Sequence, residues 1–234
     1  TAAAKPEIHA EAVLDRQRDL VDAAVRNLEP QVPGKLDVYL VAFAGDADEE
    51  VFSNEVHYVE RLYRERFGLA GHIIVLANST TTVDSAPLAS VSNLRRALNG
   101  VGNRMDPDED LLLLYVSSHG SREGEIYVNL PPLPLDQLGA RGLKELLDGS
   151  GIRDRVVMLS ACYSGTFIPF INDSHTLTLT AARADRSSFG CGNTDAITWF
   201  GRALLVDALN QEPRLLPAFE AAKSEINGWE ERDQ

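Results

Sequence analysis

Two segments of this 234-residue chain each run a stretch of apolar residues into a reactive side chain and a glycine. The first is Leu111-Leu112-Leu113-Leu114-Tyr115-Val116-Ser117-Ser118-His119-Gly120. The second is Val156-Val157-Met158-Leu159-Ser160-Ala161-Cys162-Tyr163-Ser164-Gly165. Each reads as a buried strand delivering one functional group at its carboxyl end, where open α/β sheets place their sites. One end presents an imidazole and the other a thiol. A thiol at its free pKa is mostly protonated at neutral pH, and a neighbouring imidazole can take the proton or hold the thiolate as an ion pair. Gly120 has no side chain, so its N–H can point at a developing oxyanion, with the Cys162 N–H as the natural second donor. Alone, a Cys at a strand end is an inert small hydrophobe and a His before Gly a turn residue. The two together, on parallel strands lying side by side, make a nucleophile with its base.

The elements that must position these groups alternate along the chain. Apolar residues Ile8, Ala12, Val13, Val21, Ala24, Val25 and Leu28 among charges predict an amphipathic helix over 8–28. A strand over 36–44 and a helix over 49–67 follow, then a strand over 73–76 and a helix ending at Gly100. After the histidine strand, residues 125–129 form a short hairpin arm, residues 135–148 a helix, and the cysteine strand comes next. A strand over 176–182 and helices near 195–210 and 214–229 close the chain. Strands alternating with helices predict right-handed crossovers and a mainly parallel sheet with helices on both faces. With no repeat and no linker, the chain reads as a single domain, an N-terminal helical extension over 1–34 preceding a core over 35–234.

The formal net charge of −13 argues against a nucleic-acid partner, because phosphate binding needs clustered Lys and Arg. No apolar run approaches the ~18 residues that span a bilayer. The two cysteines, Cys162 and Cys191, are too few for a disulfide framework, and the Cys and His spacings match no zinc site. The chain starts at Thr1, so it reads as a processed product. A secreted or periplasmic location after signal removal is the expectation.

Ser118-His119-Gly120 and Ala161-Cys162-Tyr163-Ser164-Gly165, in this order, resemble the legumain-type cysteine peptidases of the caspase-like clan. Thr180-Ala181-Ala182 followed by Ser187-Ser188-Phe189-Gly190-Cys191 is similar to that family's strand after the nucleophile and the pocket loop behind it. A His about 40 residues before the Cys is also similar to the caspase order, where the separation is about 50. The resemblance covers about residues 36–210. It implies a caspase-like three-layer α/β fold and a peptidase acting on peptide or protein substrates. It further implies that Cys162 attacks the carbonyl, His119 handles the proton and backbone N–H groups including that of Gly120 hold the oxyanion, with no metal or cofactor. A transamidase or transpeptidase using the same dyad, and an inactive caspase-like binding domain, are the alternatives.

Departures from the family fall on specificity. Legumains carry an acid two residues before the nucleophile, where this chain has Ser160. Their second pocket acid corresponds to Asp195 or Thr198, and their pocket arginine has no counterpart among Asp46, Asp48, Glu49 and Glu50. The family's Asn/Asp preference therefore does not transfer, and Ser160, Ser187 and Ser188 remain the candidate substrate-binding residues. Of the other histidines, His57 and His72 read as structural, and His175 is the one rival base. Asp110 reads as a strand-entry residue, Cys191 as a packed thiol, and no residue stands out to orient His119.

Overall fold

The computed structural model describes residues 8–190 and 196–232. Five strands form one parallel sheet: β1 (Val38–Ala44), β2 (Ile73–Ala77), β3 (Leu111–Ser117), β6 (Asp154–Ser160) and β7 (Thr176–Thr180), in the order β2-β1-β3-β6-β7. Two short strands, β4 (Glu125–Ile126) and β5 (Leu138–Gly139), pair antiparallel between β3 and β6. The histidine and cysteine strands are thus the central neighbours of the sheet.

Burial on both faces explains why the central strands are continuous apolar runs. Along β3, Leu112, Leu114 and Val116 face one core while Leu113 and Tyr115 face the other, as a period of two requires. The first face is covered by α1 (Ala10–Arg26), α3 (Val91–Gly102), α4 (Ala140–Gly149) and α5 (Ile168–Ile171). The second is covered by α2 (Glu50–Arg66), by the short α6 (Trp199–Gly201) running into a π-helical stretch over Arg202–Ala208, and by α7 (Leu215–Arg232). Helices on both faces of a mainly parallel sheet make a three-layer α/β fold.

Several element boundaries differ from the sequence reading, three of them near the contacts that brace β3. The helix expected to stop at Gly100 continues to Gly102, and Gly100 serves as a contact point within it: a Cβ there would lie 2.4 Å from Val25 Cγ2 of α1. The helix expected from 135 begins at Ala140, since Leu138–Gly139 is drawn into pairing with β4 and the Gln137 side chain bonds both the N–H (2.9 Å) and the C=O (3.0 Å) of Val128. The arm expected over 125–129 forms a ladder only at Glu125 and Ile126. Helix α1 packs on α3 and buries Val21 completely in the first core.

Candidate active site

The register of β3 with β6 sets Ser117 opposite Ser160, and the Ser118 N–H donates to the Ser160 carbonyl at 3.2 Å just beyond the ladder. His119 and Cys162 therefore leave adjacent strands at the same level. Gly120 closes the gap. A Cβ built on it would lie 2.1 Å from the Cys162 carbonyl oxygen and 3.2 Å from Ala161 Cβ, so only a residue without a side chain fits. Gly120 also bridges to Ile126, flanked by bonds from Tyr127 N–H to His119 O (2.9 Å) and from Ser121 N–H to Glu125 O (2.9 Å). In that non-hydrogen-bonded type of pairing the N–H of Gly120 itself points away from β4.

The His119 ring packs edge-on against Phe52 of α2, centroids 4.9 Å apart at 82°, and remains 40% exposed. Its Nε2 lies 3.7 Å from Oδ2 of Asp46, whose side chain is buried. The other Asp46 oxygen accepts from Asn129 Nδ2 (3.0 Å) and from the Asp48 N–H (3.1 Å), which fixes the carboxylate in place. Sequence reasoning found no orienting group for His119. Asp46 follows Gly45 at the end of β1, and it becomes a neighbour of His119 because β1 is the other partner of β3.

Past Cys162 the chain turns sharply. Tyr163 has φ +54°, the only non-glycine residue in the left-handed region among the described residues. Its N–H donates to Arg186 O at 2.9 Å, tying the turn to the loop after β7, and its ring lies under the Arg122 guanidinium at 5.1 Å. That loop brings Ser188 to the sulfur: its N–H donates to Cys162 Sγ at 3.3 Å, and its hydroxyl lies 3.4 Å from Sγ. Ser187 is exposed and lines a cavity of about 360 Å³ together with Arg122, Tyr163, Arg186, Phe189 and Glu230. Phe189 stacks on Trp199 (5.1 Å), which meets Trp229 of α7 edge-on at 5.6 Å.

Ser160, the third candidate pocket residue, is buried, and its hydroxyl lies 3.0 Å from Thr198 Oγ1. Beneath both sits Glu55 of α2, fully buried. Its Oε1 accepts from the Tyr115 (2.7 Å) and Ser117 (2.9 Å) hydroxyls, and its Oε2 from the Thr198 N–H (3.0 Å) and hydroxyl (2.6 Å). Burial and Glu55 together push the Tyr115 hydroxyl well above its ordinary pKa of 10.0.

The remaining candidates separate cleanly. His175 pairs with Asp154 at 2.8 Å, at the amino end of β6 and so at the opposite end of the strand from Cys162. His72 stacks on Tyr39 at 4.3 Å, and His57 bonds its own helix at Ser53 O. Asp110 accepts the Asp37 N–H (2.9 Å) and the Asp106 N–H (2.7 Å), shaping the entry to β3. Cys191 and Asp195 lie outside the described residues. Among the described residues, no group of His, Cys, Asp and Glu is arranged to hold a metal ion, and no helix is long and apolar enough to cross a membrane.

No protein of curated function matches this chain. The fold is similar to the crystal structure of caspase-1 from Spodoptera frugiperda, with a TM-score of 0.53 at 13% identity over 84% of this chain and 81% of that one. The architecture is therefore caspase-like. The profile of the Peptidase C13 family matches residues 93–234, a span that holds His119, Gly120, Cys162 and the loop that reaches the sulfur. By that match over more than half its length, the chain belongs to the peptidase C13 family.

Proposed function

We propose that this chain is a cysteine endopeptidase in which Cys162 is the nucleophile and His119 the general acid and base. Family and fold are those of cysteine peptidases. The observation that carries the reading to these residues is the close approach of Gly120 to the Cys162 carbonyl, which leaves the imidazole-bearing and thiol-bearing strand ends side by side. With Nε2 turned toward Asp46, His119 has Nδ1 for the proton work. The thiol proton passes to Nδ1, Sγ bonds to the substrate carbonyl carbon, and the carbonyl oxygen becomes an oxyanion held by the Gly120 and Cys162 N–H groups. Collapse breaks the C–N bond, the amine leaves with the proton from His119, and a thioester remains. Water then attacks the thioester, its proton going to His119 and on to the departing sulfur. The Ser188 N–H, which donates to Sγ, helps fix the sulfur in position through this cycle.

Mass-spectrometric digestion of a mixed peptide library across acidic to neutral pH tests the reading, with Cys162→Ala as control. Cuts that vanish in Cys162→Ala are expected. Cuts that persist unchanged in the variant would remove Cys162 from the mechanism.

A further inference from the structure

Glu55 is a fully buried carboxylate whose hydrogen-bond partners are all neutral: two hydroxyls on β3 and the hydroxyl and N–H of Thr198. Carboxylates are almost never fully buried unless paired with a cation, and such a site persists only when each lone pair is satisfied. Four donors on two oxygens meet that condition for the ionised form, which donates nothing. The proton inventory then propagates outward. The Thr198 hydroxyl, which donates to Glu55, accepts from the Gly201 N–H (2.9 Å) and lies 3.0 Å from the Ser160 hydroxyl. The fold also makes room for this network: a Cβ at Gly201 would lie 2.2 Å from Glu55 Oε2.

The network links the two dyad-bearing strands to the start of α6 through one buried side chain. Oε1 holds Ser117, two residues before His119, and the chain from Oε2 reaches Ser160, two residues before Cys162. Thr198 in turn begins the helix carrying Trp199, on which Phe189 stacks beside the Ser188 that touches the sulfur. We propose that Glu55 is a specificity-determining, positioning residue: its carboxylate anchors Thr198, and with it the Trp199–Phe189 ring pair, to the strands bearing the dyad, and so sets an aromatic wall against which a substrate side chain is read. This rests on the peptidase reading of the same site. Glu55 itself is buried and touches no substrate.

The test separates the wall from the thiol. In wild type, Glu55→Gln, Thr198→Val and Thr198→Ser, Cys162 is labelled with iodoacetamide, which needs no wall. It is labelled in parallel with a pool of acetyl-tripeptidyl chloromethyl ketones differing in the residue beside the ketone. Circular dichroism reports the fold. In Glu55→Gln and Thr198→Val we expect iodoacetamide rates within about 2-fold of wild type, pool labelling slower by ~10-fold or more, and flattened preference among pool members. Thr198→Ser, which keeps the hydroxyl, should behave as wild type. Unchanged peptide preference in folded Glu55→Gln, or equal slowing of both reagents, overturns the proposal, and Thr198→Val decides it if Glu55→Gln does not fold. A wild type showing no preference within the pool also overturns it. Peptide turnover is measured alongside. Turnover with a preference indifferent to Glu55 sinks this inference alone, whereas selective, Glu55-dependent labelling without turnover sinks hydrolysis alone.

Discussion

The Asp46 carboxylate stands 3.7 Å from Nε2 of His119, held from behind by Asn129 and the Asp48 N–H. A carboxylate at that distance faces the ring N–H and orients the imidazole. His119 is 40% exposed, so solvent moderates the effect. For Asp46→Ala we expect kcat to fall about 10-fold, equivalent to ~1.4 kcal/mol of barrier, with a smaller fall for Asp46→Asn. A change in kcat of less than about 2-fold in folded Asp46→Ala would show that Phe52 packing alone orients the ring.

Gly120→Ala should be far more damaging than its size implies. The added methyl would start 2.1 Å from a backbone oxygen that has no rotamer to move into, so the two strand ends must separate. Separation moves both the imidazole and one oxyanion donor, and losing one such donor typically costs about 10²-fold in kcat. Activity is expected to drop by at least that factor while far-ultraviolet circular dichroism still reports the α/β fold. Retained activity in Gly120→Ala would mean that the strand ends tolerate separation and that the Gly120 N–H has no role.

Tyr163 allows the cost of the turn to be measured. A left-handed residue with a Cβ costs roughly 1 kcal/mol over glycine, and Tyr163 sits at φ +54°. Tyr163→Ala and Tyr163→Gly both lose the packing under Arg122. The comparison between them therefore isolates the backbone, and Tyr163→Gly should be the more stable by about 1 kcal/mol in denaturant unfolding. Equal stabilities would mean that the turn relaxes to another conformation once the ring is gone.

The strands that carry this candidate site are legible in the sequence, and the parts that are not share a cause. The runs at 111–116 and 156–159 are apolar because both faces of a central strand are covered, and that signal survives in sequence. His119, Gly120 and Cys162 followed from the ends of those runs. Asp46 and Glu55 did not, since their roles depend on which strand lies on the far side of β3 and which helix lies beneath it. A trace of Glu55 was present: it falls on the stripe Phe52, Val56, Val59 of α2, where an apolar residue belongs. A charge on a buried stripe is the sequence signature of a satisfied polar network. The late start of α4 was invisible because it depends on a two-residue pairing with β4.

At the amino end of β6, Arg155 is buried and bonds Thr176 (3.1 Å), Asp173 (2.9 Å) and Asp148 (3.4 Å). Three carboxylates here are held below their ordinary 3.8: Asp154 by His175 and then Arg153, and Asp148 by Lys144 and then Arg155. At Asp173 burial pushes upward, but the His175 N–H, Thr176 and Arg155 outweigh it. A carboxylate with a depressed folded-state pKa contributes stability that is complete above the unfolded value and is lost as pH falls through the folded one. The melting temperature should therefore be insensitive to these groups above about pH 5 and decline through the range below 3.8 as they protonate. Arg155→Gln removes a shared partner of Asp148 and Asp173. It should melt lower at neutral pH, yet lose less on acidification, so the readout is the slope of melting temperature against pH. An acid slope in Arg155→Gln as steep as in wild type would place the acid-sensitive carboxylates elsewhere in the molecule.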